Sequence, residues 1–197
     1  MLAAWQQVEQ DGLKAAQDEV RPLYERTRDF QAYSSWLVPG LLQIRAYTES
    51  VLRAVQRRRV TVDDVGAAVD VRMERQRVLR EGDRRFAFLV EESVLRSGLG
   101  GRDVQCQQLA HLLTVGALPN VSLGVVPMGP DRVRMPVEGF WIYDAAQVNV
   151  ELVSGYLTLS QPSEIALYAQ AFGELTERAV YGERARALID AAVETLG

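Results

Sequence analysis

Three short runs rich in β-branched and aromatic residues, Val121–Val126, Val137–Tyr143 and Val148–Val153, follow one another with no helical segment between them. Parallel neighbours need a crossover of a dozen or more residues, usually a helix, so this succession predicts an antiparallel meander. The loop 127–136 (PMGPDRVRMP) separates the first two runs, and the last two read as a hairpin around Asp144–Gln147. A further apolar run, Arg85–Val90, reads as a fourth strand. The expected class is α+β: N-terminal helices, a small, mainly antiparallel sheet of about four strands, and a C-terminal helical pair.

The helical pattern begins at once. Residues 1–30 carry Trp5, Val8, Leu13, Ala16 and Val20 at helical spacing, with Gly12 and Pro22 as weak points. An aromatic stretch, Phe30, Tyr33 and Trp36, leads into Val38-Pro39-Gly40, a chain-reversing turn. A second helix presents Ile44, Tyr47, Val51, Leu52 and Val55 on one face and ends in Arg57, Arg58 and Arg59, cations suited to a helix C-terminus. Thr61 with Asp64 forms a capping-box pattern for a third helix through Leu79, closed by Glu81-Gly82-Asp83. Beyond the first strand, Gly98, Gly100 and Gly101 form a loop, and Asp103 is the expected N-cap of a helix with Leu109, Leu112 and Leu113. Pro162 opens a helix reaching Ala179, Tyr181-Gly182 breaks it, and a last helix carries Ala185, Leu188, Ile189, Ala192 and Leu196. The expected division is a linker-like helix and aromatic lead-in over 1–36, followed by one α+β unit over 37–197.

Composition removes several function classes. The net charge of −4 and the acidic pI of 5.2 oppose sequence-independent nucleic-acid binding by the whole chain. A single Cys fits a reducing, cytoplasmic setting. No apolar run reaches the ~20 residues of a membrane span. His111, the only histidine, lies five residues from Cys106, about 140° around a helix, so the two neither share a metal nor form a local nucleophile–base pair. No His/Cys cluster suggests zinc, and the Gly98–Gly101 loop lacks the glycine order and lysine of nucleotide-binding loops. No cofactor, metal or catalytic set is expected.

Recognition is better represented. Residues 45–85 hold eleven arginines against seven carboxylates, a surplus that usually marks a solvated helix face. Glu91 and Glu92 follow the Arg85–Val90 strand and begin a helical turn. One of them is placed to face Arg72 or Arg75, either as an ion pair fixing the helix–sheet junction or as part of a polar pocket. Glu151, inside a strand, has the same two readings. The aromatic residues, among them Tyr24, Phe30, Tyr33, Trp36, Tyr47, Phe140, Trp141, Tyr143 and Tyr156, fall in two groups that serve as core or as walls of an apolar pocket. The candidate ligand-binding set is Trp36, Tyr47, Arg72, Arg75, Glu92, Phe140 and Glu151.

Leu37-Val38-Pro39-Gly40-Leu41-Leu42-Gln43 with Tyr47, the set Arg72, Arg75, Gln76 and Leu79, and Glu92 with Leu95-Arg96 recur together with Gly100-Gly101, Gln108-Leu109, His111 and Asn120-Val121. In this combination the chain resembles the domain of unknown function found C-terminal to an XRE-type helix-turn-helix in Streptomyces-type, antitoxin-like transcriptional regulators. The resemblance spans about 20 to 196, and Met1 stands at what resembles the linker helix, without the DNA reader. It implies a non-catalytic module that senses a small-molecule effector, or a small partner protein encoded alongside. In a parent chain it would dimerise or bind its effector and so alter the DNA affinity of the separate reader. The alternative is a free-standing small-molecule-binding protein, or an enzyme of a biosynthetic pathway using buried Glu and Arg groups.

Overall fold

The computed structural model describes residues 2–60, 62–129, 132, 134–152 and 155–196. In chain order the elements are β1 (Leu2–Ala4), α1 (Trp5–Arg26), β2 (Asp29–Ser34), α2 (Arg45–Arg59), α3 (Val65–Arg75), β3 (Arg85–Glu91), α4 (Glu92–Arg96), α5 (Arg102–Val115), β4 (Val121–Val126), β5 (Phe140–Tyr143), β6 (Gln147–Leu152), β7 (Gly155–Leu159), α6 (Pro162–Thr176) and α7 (Gly182–Leu196). The α+β class holds. The small antiparallel sheet is corrected to seven strands in the order β1-β7-β6-β5-β2-β3-β4, with β2, β3 and β4 parallel and the remaining pairs antiparallel.

The correction has a physical reason. β2 reads DFQAYS, has no β-branched residue, and sits in the sheet's interior between β5 and β3. Once β2 is a strand, α2 and α3 become the crossover from β2 to β3, and α4 and α5 the crossover from β3 to β4. The hairpin is found where its turn was expected: Asp144 and Ala145 both have φ of 51°, the left-handed pair that suits the twist of a tight β5–β6 connection. The Asp144 carboxylate accepts the Arg28 and Asp29 N–H groups at 2.8 Å each, tying this turn to the start of β2. The expected Asp103 cap is also corrected. Gly101 is the N-cap, with φ 89°, and Asp103 lies in the first turn, where its charge faces the positive helix end. Thr61 and Val153 lie outside the described residues.

The two faces of the sheet differ. On one face of the parallel half, Phe30, Ala32, Phe86, Phe88, Val90, Leu123 and Val125 pack beneath α2, α4, α5 and α7, and all are buried. On the opposite face α6 covers β5 and β6, placing Ile165, Phe172 and Leu175 against Phe140, Ile142, Val148 and Val150. A third apolar cluster joins α1, α2 and α3 through Leu13, Leu52, Val65 and Val69. What remains is the helix-bundle side of β5–β7. There the alternate residues are Trp141, Asn149, Glu151, Tyr156 and Thr158, all half-buried.

Two devices fix the helices over that polar surface. First, α1 is broken at Gly12 (φ 88°, ψ 171°), and the second half starts with Leu13 and Lys14 donating their N–H groups to the Asp64 carboxylate at 3.1 and 2.7 Å. Asp64 thus caps α1 from the α2–α3 connection. A Cβ at Gly12 would lie 2.5 Å from Asp64 Oδ2. Second, the turn 38–43, whose only regular structure is a single 3-10 turn at Gly40–Leu42, has its carbonyls satisfied by side-chain amides. Gln76 donates to the Gly40 and Gln43 carbonyls at 3.0 and 2.7 Å, Gln108 to the Leu42 carbonyl at 2.7 Å, and Gln43 to the Val38 carbonyl at 2.7 Å.

Asp64→Ala is expected to cost about 1–2 kcal/mol, the usual worth of an N-cap, read as a lower urea midpoint with an unchanged slope. An unchanged midpoint would show that the cap contributes nothing. Gln76→Ala removes the side-chain donor of the Gln43 carbonyl and leaves the Gly40 carbonyl only the Gln43 N–H at 3.4 Å. It is expected to cost about 1–3 kcal/mol, with Gln76→Glu at least as damaging because it replaces the amide donor by an acceptor. Urea unfolding of both variants checks this.

Candidate functional site

The carboxyl ends of parallel strands are where open α/β sheets commonly place ligands. Here that edge is strapped shut. Glu91, 3% exposed, takes a two-point ion pair from Arg132, both contacts 2.7 Å, and accepts the Tyr33 hydroxyl at 2.6 Å. Burial and then the Glu91 contact raise the Tyr33 pKa, so the phenol stays a donor. Glu92 accepts Arg96 at 2.8 Å through one oxygen and the Met128 N–H at 2.9 Å through the other. Ser35 donates to the Val137 carbonyl at 3.0 Å. These contacts tie Met128, Arg132 and Val137 to that edge. Of the two readings for Glu91 and Glu92, the structural ion pair is the one realised, with Arg132 and Arg96 as partners rather than Arg72 or Arg75.

Arg72 and Arg75 turn inward instead. The other α2–α3 arginines that pair do so at the surface, Arg45 with Asp70, Arg53 with Asp63 and Arg77 with Glu25 and Glu74. Arg72 and Arg75 stand one turn apart on α3, so both head groups leave the same face. Arg72 donates to the side-chain oxygens of Gln17 and Gln43, each at 3.1 Å. Arg75, 5% exposed, donates to the Gln17 side-chain oxygen at 3.2 Å and lies 4.7 Å over the Tyr24 ring. Neither forms an ion pair with a carboxylate among the described residues. The Arg75 Nε–H is enclosed without an acceptor, and so is that of Arg21, one turn along α1 from Gln17.

The electrostatics follow. Enclosure, and then the neighbouring Arg75 charge, pull the Arg72 pKa down to about 10, against the opposing influence of Tyr156, Glu151 and Tyr24. Burial, and then the Glu151 charge, push the Tyr156 phenol above its usual pKa. Tyr143, which meets Tyr24 edge-on at 5.5 Å, is raised by burial first and by Tyr24 next. The site is therefore two guanidinium groups held by neutral amides, roofed by α1 and α3, over a sheet surface of phenols with one carboxylate. Its chemistry is the fixed presentation of planar cationic donors.

Of the seven residues singled out from the sequence, Arg72, Arg75 and Glu151 meet here. Tyr47 is buried beneath α2, its hydroxyl accepting the Val38 N–H at 3.4 Å. Phe140 is buried on the opposite face, 5.6 Å from Tyr33 and 5.0 Å from Tyr168. Trp36 is 49% exposed beside Gly139, and Glu92 belongs to the strap. Gln17, Gln43 and Tyr24 complete the site without having been singled out as ligand-binding. The signal for Gln43 was its place at the end of the LVPGLLQ run; Tyr24 stood only among the aromatic residues that serve as core or pocket walls, and Gln17 had no signal. His111 is half-buried on α5, its pKa lowered by burial and then by Arg80, and Cys106 on the same helix is a free thiol. Among the described residues no group of three His, Cys, Asp or Glu side chains is arranged to hold a metal ion, and no helix is long and apolar enough to cross a membrane.

No curated protein matches the chain. Among solved structures it superposes on TrmBL2, an archaeal chromatin protein whose structure is described as showing a novel mode of DNA binding, with a TM-score of 0.40 and 10% identity over 87% of this chain and 52% of that one. The chain spans about half of that protein's length, and a likeness at this level carries no argument. A family model described as Domain of unknown function (DUF5753) matches residues 22–191, most of the chain, and the protein belongs to that family.

Proposed function

We propose that this domain is the non-catalytic sensing module of an XRE-type, antitoxin-like transcriptional regulator of the actinobacterial kind. Residues 1–36 then lead in from a separate helix-turn-helix reader, and 37–197 form the sensor. The observation that carries the reading is the Arg72–Arg75 pair, enclosed and held only by neutral acceptors. Such a pair suits recognition of an anion. Of the two carboxylates that an enzyme reading would draw on, Glu92 and Glu151, Glu92 is engaged in an ion pair with Arg96. Enclosure of the pair between helices and sheet favours a small molecule over a protein partner as what is sensed.

The same turn of α3 supplies a route for a response. Arg72 and Arg75 hold Gln17 on α1, and Gln76, the next residue, clamps the 38–43 turn. A ligand that contacts the guanidinium pair changes the preferred placement of α1 on α3 by as much as its affinity differs between the placements. Residues 1–197 alone are expected to give no sequence-specific shift of duplex DNA drawn from a randomised pool, because their net charge is −4 and the reader is a separate domain. A tight, sequence-selective complex in that gel-shift selection would overturn the reading.

A further inference from the structure

We infer that the junction where α3 and α1 meet the β5–β7 surface binds a small organic anion, its carboxylate or phosphate group clamped by Arg72 and Arg75 and its polar body laid against Tyr156. This deepens the sensing role proposed above and rests on it.

Three observations converge. A buried guanidinium is costly unless paired with an anion or fully hydrogen-bonded, and a buried charge without its counter-charge is among the strongest destabilising features a fold can carry. Arg75 is 5% exposed, meets only one amide side chain, one backbone carbonyl and an aromatic ring, and keeps an enclosed Nε–H with no acceptor. A second cation, Arg72, stands one helical turn away, and burial first and the neighbouring Arg75 charge second lower its pKa. An anion entering between the two relieves both costs at once. The planar forks of arginine match the oxygens of carboxylate and phosphate in two-point contacts, which a lysine could not offer.

The sheet side names the rest of the ligand. Its side chains on that face are the half-buried Trp141, Gln147, Asn149, Glu151, Tyr156 and Thr158 with the buried Tyr143, most of them able to hydrogen-bond, unlike the apolar surfaces elsewhere on the sheet. A hydroxylated or amide-bearing body suits such a surface better than a hydrocarbon one. Glu151 tempers the site. Its charge acts on Arg72 and would oppose an incoming anion, so it selects for ligands that place a hydrogen-bond donor, not a second negative group, beside it.

The test is isothermal titration of the full chain at low ionic strength with inorganic phosphate, glucose 6-phosphate, citrate and unphosphorylated glucose. Saturable binding is expected in at least one anion arm and none with glucose; the phosphate arms against citrate tell which headgroup is preferred. Arg75→Gln and the milder Arg72→Lys should weaken the binding at least about tenfold, while Arg53→Gln, at an exposed ion pair, leaves it unchanged. Should both site variants fail to fold by circular dichroism, Glu151→Gln decides, with an expected gain of about threefold or more in affinity. No saturable heat from any anion up to about 10 mM, equal binding by the folded arginine variants, or weaker or unchanged binding by Glu151→Gln would each overturn the inference. Silence in the anion arms rejects this ligand class alone, since the regulator reading is judged by the DNA experiment.

Discussion

The chain between Val38 and Gln43 makes one 3-10 turn in an enclosed position, and its peptide carbonyls must find donors there or be lost. Glutamine side chains supply them. Gln76 reaches down from the end of α3, Gln108 across from α5, and Gln43 folds back on its own segment, so two elements distant in sequence converge on six residues. This amide clamp sets the height and rotation of α3. Because Arg72 and Arg75 precede Gln76 by four residues and one, fixing the glutamine also aims the guanidinium groups. Gln43 closes the loop by accepting from both Arg72 and Thr48, the latter at 3.0 Å. The arrangement of cations over the sheet is thus a consequence of satisfying a turn.

Charge is distributed by the same economy of partners. At the carboxyl edge of the parallel strands, acidic side chains meet arginines and backbone donors and become fasteners: Glu91 with Arg132 and Tyr33, Glu92 with Arg96 and Met128. On the other side, beneath α1 and α3, the cations are hydrogen-bonded by amide and peptide oxygens and stacked on a ring, with the Glu151 charge nearby but no ion pair to it. An edge with matched charges is rigid and closed. A junction with cations matched only by dipoles is held in place yet electrically incomplete, and the latter condition distinguishes a place for a ligand from a structural salt bridge.

Much of the secondary structure was legible because it rests on local signals. The hairpin at Asp144 and Ala145, the Pro162 start of α6, and the apolar strand at 85–91 all follow from turn chemistry or from a run of suitable residues. The parallel order was not. β2 lacks β-branched residues and owes its conformation to β3 and β5 on either side, so only tertiary context makes it a strand. With β2 unseen, the helices 45–75 looked like a separate N-terminal part when they are a crossover. At the site, the motif residues Arg72, Arg75 and Gln76 were visible as a group. Their direction was not, because an arginine-rich helix reads as solvated, and whether two of its cations turn inward depends on Gln17 and Tyr24, some fifty residues away in sequence.

The sheet's two halves divide the labour by burial. Its parallel half is covered on the helical side by α2, α4, α5 and α7 with apolar residues, the arrangement parallel strands require. Antiparallel strands tolerate one polar face, and β5–β7 use that freedom on the side where α1 and α3 lie. A polar sheet surface under helices is unstable as a dry interface, and an apolar one would expel the guanidinium groups. Only the combination present here, phenols and amides below with cations fixed from above, keeps Arg72 and Arg75 inside the molecule while leaving them short of a counter-charge. The proposed site therefore lies where the strand direction changes, at β2–β5, and the apolar layer of the parallel half gives way to a more polar surface.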